Sequence, residues 1–232
     1  MINQKNFPTR RDGWYYIDGQ RYVSVTTVLS VLNKPGLTVW VARNAAKIAL
    51  ADPTLTADQV ISKSYEIRDT AGNAGTTIHS WVESRQQGAQ LKPENLPEPL
   101  QGYGKAYEDF IKTLGVVFRK NEMEVYSRDY GYAGTLDAVI ELPSKELWIV
   151  DFKTSKSVYD EYGIQLSAYA HAYQEMGNKY DKQAVVHLKP NGTFTLIEFN
   201  EPFTVFLATM EIWKWVNLRN ELKRGGEKQN AK

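Results

Sequence analysis

The sequence predicts an α/β fold in which a mixed central β-sheet is flanked by helices. Residues 147–150, Leu-Trp-Ile-Val, form a nearly continuous apolar run, as expected for a strand that is buried on both faces. Further strand patterns surround this run, and helical patterns dominate the chain before residue 115. We expect a single domain over residues 1–232, with a mainly helical portion at 25–114, a sheet core at 115–200, a C-terminal helix at 201–223 and a disordered tail at 224–232.

Composition limits the possible classes of protein. A chain of 232 residues with 42% apolar and 24% charged residues is typical of one soluble globular domain. It has no cysteine, which excludes disulfides, a thiol nucleophile and a cysteine-bound iron–sulfur cluster. No apolar run approaches the ~20 residues of a membrane span, and the N-terminus lacks an apolar signal core. We therefore expect a cytoplasmic protein that does not contact membranes.

The N-terminal part is predicted to be a hairpin followed by helices. Asp18-Gly19 is a strong two-residue turn signal between strands at 14–17 and 20–24. Ser24 is a candidate N-cap for the first helix, and Pro35-Gly36 is predicted to end it. The predicted helices are 25–32, 38–50, 56–68 and 76–87, with Gly72 and Gly75 separating the last two.

The second predicted helix carries a polar face. Trp40, Arg43, Asn44 and Lys47 recur at helical spacing and therefore lie on one side. This face could contact a DNA backbone and stack a base on Trp40. A solvated face with a partly buried tryptophan explains the same pattern.

The remaining elements follow in order after a proline-rich loop at 88–99. Pro143-Ser144 marks the turn between the two central strands, and Pro190-Asn191-Gly192 marks a hairpin near the end. The predicted helices are 100–114, 159–177 and 203–223, and the predicted strands are 116–128, 132–142, 146–153, 184–188 and 193–199.

Two acids and a lysine mark the central strands. Side chains alternate along a strand, so Asp151 and Lys153 project to the same side. A buried carboxylate needs a partner, and with Asp137 on the neighbouring strand the two acids could share Mg²⁺ or Mn²⁺. Lys153 could then orient a water or stabilise charge on a phosphate. The competing interpretation is a surface Asp–Lys pair, because acid-x-Lys is common by chance.

Several ordered motifs resemble one nuclease family. GTLD, DFKTSK and QLSAYA, preceded by GTTIHSWVE and SVTTVLSVLNKPGLTVW, resemble the PD-(D/E)XK nuclease superfamily in its RecB-like exonuclease branch over roughly residues 22–190. The resemblance implies a restriction-endonuclease-like fold and metal-dependent hydrolysis of DNA phosphodiester bonds, at single strands or DNA ends. Similar patterns occur in phage exonucleases, so we expect the cytoplasm of a bacterium or a phage-infected host.

The resemblance also implies a ligand set. His79, four residues after Gly75 on a helix, matches a metal-binding imidazole of the family. Together with Asp137, Asp151 and the main-chain carbonyl of Phe152, it is expected to hold one or two Mg²⁺ or Mn²⁺ ions. A nitrogen donor favours Mn²⁺ over Mg²⁺. The catalytic residues implied are Asp137, Asp151 and Lys153.

Further residues are expected to line the site. Gln165 and Tyr169 are four apart on one helix face, where the resemblance implies contact with the lysine, a phosphate or the DNA channel. Thr154 and Ser155 are expected to donate hydrogen bonds to a neighbouring phosphate. Glu124 could approach the metal from the preceding strand, although solvation of an edge strand explains an acid there equally well. His171 and His187 match no motif, and we interpret both as structural.

Three functional interpretations remain open at this point. The first is the exonuclease, the second a structure-specific endonuclease of the same fold, and the third a catalytically silent module that binds nucleic acid. A small-molecule phosphoesterase is less well supported, because no motif predicts a nucleotide pocket. The net charge is only +1, with an excess of Lys and Arg near both termini and a correspondingly acidic middle. This distribution fits phosphate binding around a metal site, although basic termini are also common without it.

Overall fold

The computed structural model describes the backbone of residues 9–229 and the side chains of 11–70 and 72–217. Its strands are β1 (Thr9–Arg11), β2 (Trp14–Ile17), β3 (Gln20–Ser24), β4 (Val117–Ser127), β5 (Tyr132–Glu141), β6 (Leu147–Lys153), β7 (Lys182–Leu188) and β8 (Phe194–Glu198). Its α-helices are α1 (Val25–Val28), α2 (Pro35–Ala51), α3 (Ala57–Gln86), α4 (Gln101–Leu114), α5 (Glu161–Glu175) and α6 (Phe203–Gln229). Short 3₁₀ turns lie at Leu29–Val31, Pro93–Asn95 and Glu98–Leu100.

The strands form one eight-stranded mixed sheet. Its order is β1-β2-β3-β5-β6-β7-β8, and β4 pairs with β5 beside this path. The pairs β3–β5 and β6–β7 are parallel, and the other pairs are antiparallel. The predicted α/β fold with a mixed central sheet is therefore confirmed.

Helices cover both faces of the sheet. On one face, Leu166 of α5 and Phe206 of α6 pack with β5, β6 and β7 in one buried cluster. On the other face, Ile78 of α3 and Phe110 of α4 pack against Phe152 and its neighbours in a second cluster. All of β6 from Trp148 to Phe152 is buried, which explains its continuous apolar sequence. Among the described residues, no helix combines the length and the apolar composition that crossing a membrane requires.

The prediction that two helices lie at 56–68 and 76–87 is wrong, because α3 is one continuous helix of 30 residues. It begins with a capping box in which the Thr56 side chain accepts from Gln59 N and the Gln59 side chain accepts from Thr56 N. Gly72 and Gly75 lie inside it. A glycine in a helix costs roughly 1 kcal/mol relative to alanine but does not break the helix.

Two other helix boundaries differ from the prediction. Pro35-Gly36 begins α2 instead of ending the preceding helix, because proline fits the first turn, where its missing N–H is not needed. The C-terminal helix continues to Gln229, so the predicted disordered tail is wrong for residues 224–229, and residues 230–232 lie outside the described residues. Gly225-Gly226 lowers helix propensity there without ending the helix.

A glycine permits close packing of α5 on β5. A Cβ atom at Gly134 would lie 2.3 Å from the Tyr169 ring, which no real Cβ contact tolerates. The Tyr169 ring is buried, so it has little room to move away. Gly134 therefore fixes the depth at which α5 lies on the sheet.

We predict that Gly134→Ala lowers the free energy of unfolding by about 1–3 kcal/mol, because overpacking a well-filled core forces neighbours to shift. Gly72→Ala is the matched control, since its added methyl would meet no atom within 4 Å. That substitution should instead stabilise α3 by about 0.5–1 kcal/mol. Urea unfolding of the three proteins measures both effects, and a Gly134→Ala protein as stable as the parent would contradict the packing argument.

Candidate active site

The register of β5 against β6 brings two carboxylates together. Ala138 pairs with Val150 at the end of this antiparallel ladder, and Asp137 and Asp151 are the next residues of the two strands. The two carboxylates are close enough for the charge of Asp151 to raise the pKa of Asp137, after the larger effect of burial. Asp137 Oδ2 also accepts a hydrogen bond from Phe152 N at 2.8 Å, which fixes the carboxylate against β6. The structure thus brings together the two acids that the motifs singled out.

Lys153 lies beside these acids. Its Nζ is 2.6 Å from Asp151 Oδ2, and the two side chains are only 18% and 3% exposed. This short ion pair compensates the buried Oδ2 oxygen. Burial alone would lower the pKa of Lys153, but the charges of Asp151 and Asp137 outweigh it and raise the pKa. The amine is therefore protonated and compensates the buried carboxylates.

Helix α5 supplies a hydrogen-bonded amide to this pair. Gln165 Nε2 donates to Asp151 Oδ1 at 3.3 Å and to the Tyr169 hydroxyl at 2.9 Å. Its Oε1 lies 3.5 Å from Lys153 Nζ, at the outer limit of a hydrogen bond. Of the two residues that the sequence placed on one helix face, Gln165 therefore contacts Asp151 and Lys153 directly, and Tyr169 is joined to them through Gln165.

Tyr162 also contacts the lysine, and the motifs did not single it out. Lys153 Nζ lies 4.8 Å from the centre of its ring, within cation–π range. The Tyr162 hydroxyl donates to Ser155 Oγ at 3.2 Å, which ties α5 to the loop after β6. Its position three residues before Gln165 places both on one face of α5, and this spacing was the available signal.

His79 approaches the acids from α3, on the opposite side of the sheet from α5. Its Nδ1 lies 3.7 Å from Asp137 Oδ2, and its side chain is about one-third exposed. The structure thus places the imidazole that the sequence predicted as a ligand next to Asp137. Because α3 is continuous, the buried residues Ile78 and Trp81 hold the helix against the sheet and fix this position.

Two further acids, Glu122 and Glu83, lie near Asp137 and Asp151. Asn121 pairs with Ala138 and Met123 with Leu136, so Glu122 on β4 stands opposite Asp137. Partial desolvation, followed by the like charges of Asp137, Glu83 and Asp151, raises the pKa of Glu122 to about 7, although much of its side chain is open to solvent.

The positions of these acids could partly have been foreseen. Glu83 follows His79 by four residues on α3, and this helical spacing was a signal for it. On β4, Glu124 shows only a desolvation-driven rise in pKa, without the charges that act on Glu122. The acid of β4 that is coupled to the centre is therefore Glu122, whereas the sequence interpretation had considered Glu124.

The carboxylates of Asp137 and Asp151 and the imidazole of His79 are ligand types that suit a divalent cation. In the described part of the chain, no three His, Asp or Glu side chains already stand in metal-binding geometry. Burial and the charge of Asp151 nevertheless raise the pKa of Asp137 to about 6, although Lys153 already lies beside both acids. A second positive charge would favour the ionised form of Asp137, and carboxylate and imidazole donors suit Mg²⁺ or Mn²⁺.

The polar face of α2 is not joined to the acids by any contact of the described residues. Arg43 and Lys47 are exposed and Trp40 is partly buried. Helix α2 packs against α3, and near its start Lys34 pairs with Glu161 of α5 at 3.7 Å. The two interpretations of this face, a DNA contact and a solvated surface, therefore both remain.

The loop after β6 holds the other predicted residues. Ser155 Oγ donates to the Ser157 carbonyl at 2.7 Å, so its proton is already used within the loop. Thr154 lines the open cleft next to Lys153. His187 Nε2 lies 2.7 Å from the Ser155 carbonyl, which agrees with a structural role. His171 stacks on Phe203 with ring centroids 3.8 Å apart, away from this loop.

A mixed sheet that presents two acids and a lysine from adjacent strands defines a class of hydrolases that act on nucleic acid. A model of the PD-(D/E)XK nuclease superfamily matches residues 55–212, and the chain belongs to this superfamily. The resemblance of the motifs is thereby confirmed at the level of the superfamily. No curated protein sequence matches the chain.

The fold is similar to that of solved structures at low sequence identity. One is SSO0001, with 16% identity, 90% of this chain and 78% of that chain covered, and a TM-score of 0.40. Another is the alkaline exonuclease LHK-Exo from Laribacter hongkongensis, with 12% identity, 90% and 94% of the two chains covered, and a TM-score of 0.45.

We predict that Asp137→Asn stabilises the protein at pH 7 in the presence of a chelator. A carboxyl whose pKa is raised contributes stability below its ordinary pKa and loses it as pH rises through the raised value of about 6. The charged Asp137 therefore destabilises the fold at pH 7, and asparagine removes that charge. The free energy of unfolding should rise by up to about 3 kcal/mol, since the pKa rises from 3.8 to about 6 and one pKa unit corresponds to ~1.4 kcal/mol.

The same comparison at pH 3.5 should show little difference, because Asp137 is then protonated in the parent protein. Asp109→Asn is the control, since Asp109 is exposed and accepts from Thr113, a bond that asparagine can also accept. A destabilised Asp137→Asn protein at pH 7 would show that the like charges do not dominate at this position.

Proposed function

We propose that this chain is a metal-dependent deoxyribonuclease of the RecB-like branch that removes nucleotides from single-stranded DNA or DNA ends. The observation that carries the proposal is the convergence of Asp137, Asp151 and Lys153 on one face of the sheet, with Gln165 bridging the last two. Buried like charges are costly, and they are retained here on the strands that carry the family motifs. The order of the motifs supports the exonuclease branch over an endonuclease of the same fold.

The residues that would hold the cation are Asp137, Asp151, His79 and the Phe152 carbonyl, with Glu122 as an additional acid. One or two bound Mg²⁺ or Mn²⁺ ions would lower the pKa of a water and neutralise phosphate oxygens. The protein itself contributes the orientation of these donors. The Phe152 N–H fixes Asp137, and the Gln165 amide fixes Asp151.

Lys153 supplies the positive charge beside the acids. Its ammonium group is placed to hydrogen-bond an attacking water or a phosphate oxygen and to offset negative charge in the transition state. Gln165 and Tyr162 limit where this amine can go, because they contact it from α5. Lys153 is therefore the proposed catalytic residue, and Gln165 is a positioning residue.

A panel of labelled substrates with Mn²⁺ or Mg²⁺ tests the proposal. Linear single-stranded DNA, duplex DNA, circular single-stranded DNA, RNA and a small diester should be compared. We expect metal-dependent release of short products from linear single strands, loss of activity with a chelator, and little cleavage of the circle. Cutting of the circle would indicate an endonuclease.

Calorimetry distinguishes the enzyme from a silent binding module. The parent protein should bind Mn²⁺ at a site that Asp137→Asn and Asp151→Asn each abolish. Absence of both metal binding and cleavage would overturn the proposal in favour of the silent module.

We predict that Lys153→Ala and Asp151→Ala each lower the cleavage rate by about 100-fold or more, since each removes a charge that acts on the transition state. Both proteins should still bind DNA when metal is withheld. Removing Lys153 leaves Asp151 buried without its partner, so Lys153→Gln is included to preserve the packing of the side chain. Lys179→Ala is the control at an exposed position, and full activity of the Lys153 variants would refute the assigned role.

We predict that Gln165→Leu lowers kcat by about 10- to 100-fold with little change in KM. Losing the amide frees Lys153 and Asp151 to move, and small displacements of reacting groups cost this much. Gln174→Leu on the exposed side of the same helix is the control. A rise in KM at constant kcat would instead make Gln165 a substrate-binding residue.

A further inference from the structure

An open cleft of about 770 Å³ adjoins the proposed active site. One wall is the middle of α3, and the other consists of the loop after β6 and the turn between β7 and β8. His79 and Lys153 belong both to this cleft and to the active site. Anything that fills the cleft therefore lies directly beside the acids.

The lining of the cleft is cationic. Lys156 and Lys189 line it together with Lys153, and no acid is among the residues that form its wall. Neither Lys156 nor Lys189 forms an ion pair with any residue that the structure describes. Two amines without an ion-pair partner therefore lie in the cleft beside the acids of the active site. Their charge attracts an anionic ligand, such as a chain of phosphates that leads away from those acids.

Part of the α3 wall of the cleft consists of residues with a small side chain or none. Gly72, Ala74 and Gly75 face the cleft, and a Cβ atom at Gly72 would meet no described atom within 4 Å. Internal packing therefore does not explain this glycine, which costs α3 roughly 1 kcal/mol relative to alanine. A ligand that runs close along the helix backbone does explain it.

The opposite wall is held in place by hydrogen bonds. The Ser155 carbonyl lies 2.7 Å from His187 Nε2, and the Ser155 hydroxyl accepts from Tyr162. These bonds join the loop that carries Lys156 to β7 and to α5. The cleft is therefore largely formed before a ligand enters.

We propose that this cleft binds the single strand next to the scissile bond and that Lys156 and Lys189 together neutralise one phosphate of that strand. The inference rests on the proposed nuclease function and adds the residues that position the substrate. The volume lies within the roughly 300–1,000 Å³ of sites that enclose small ligands, so it admits one or two nucleotides of a single strand.

The test compares full-length Lys156→Ala/Lys189→Ala with Lys112→Ala/Lys179→Ala, which removes two exposed lysines that do not line the cleft. Binding of a labelled oligonucleotide is measured with chelator present, over a series of salt concentrations. The cleft variant should bind several-fold more weakly, and its slope of log Kd against log salt should become shallower by about 0.7, as expected when one phosphate of a single strand is no longer neutralised. Its kcat at saturating substrate should fall far less than its affinity.

The outcomes separate this inference from the nuclease proposal. If the parent protein cleaves DNA and both double variants bind alike, the cleft inference is overturned while the nuclease proposal stands. If the parent binds single strands without ever cleaving them, the nuclease proposal fails, although the salt slopes still test the cleft. Gly72→Ala and Gly72→Leu add an independent arm, since a methyl group should already weaken binding if the strand runs close along the backbone of α3, and the leucine side chain should weaken it further. Normal binding by both variants would overturn the close approach of the strand to α3.

The choice of oligonucleotide shows whether the cleft binds a terminal phosphate or an internal phosphodiester. Oligonucleotides with a 5′-phosphate, a 5′-hydroxyl and no ends at all are compared on the parent and the cleft variant. Preference for a terminal phosphate that disappears in the variant identifies the end group as the ligand. Equal weakening on linear and circular strands identifies an internal phosphodiester.

Discussion

The register of three adjacent strands determines the chemistry of this protein. Pairing of β5 with β4 on one side and β6 on the other places Asp137 between Glu122 and Asp151, at one level of the sheet. Burial, and after it the repulsion between carboxylates this close, raises the pKa values of Glu122 and Asp137. Only a positive charge can hold them ionised at neutral pH. The lysine two residues after Asp151 provides one such charge, and the donor set is suited to another.

Helices on both faces of the sheet contribute side chains to the acidic site. Helix α5 brings the amide of Gln165 to Asp151, and it lies close enough to do so because Gly134 leaves space for Tyr169. Helix α3 brings His79 to Asp137 and, seven residues earlier, presents Gly72 to the cleft. At 1.5 Å per residue these two positions are about 10 Å apart along the helix, so one rigid element aligns the acids with the cleft.

Local pattern was sufficient for most elements and for the acids on the central strands, although it did not predict β1. Alternation along β6 places Asp151 and Lys153 on one side, and this required no knowledge of the tertiary structure. The contributions of Glu122 and Lys189 were not accessible in the same way, because they depend on which strand lies beside β5 and on where the turn after β7 projects. The continuity of α3 was missed for a physical reason. Helix propensity penalises Gly72 and Gly75, and the burial of Ile78 and Trp81 against the sheet outweighs that penalty.

The position of Lys153 connects these features. It lies 2.6 Å from Asp151, so in this arrangement the lysine itself serves as the counterion of the buried carboxylate. The Gln165 oxygen, 3.5 Å from Nζ, and the Tyr162 ring contact the same amine at the same time. Residues of β6 and of α5 therefore hold the charge of Lys153 beside the acids. Because Lys153 also lines the open cleft, one side chain both compensates the buried carboxylates and contributes positive charge to the wall of the cleft.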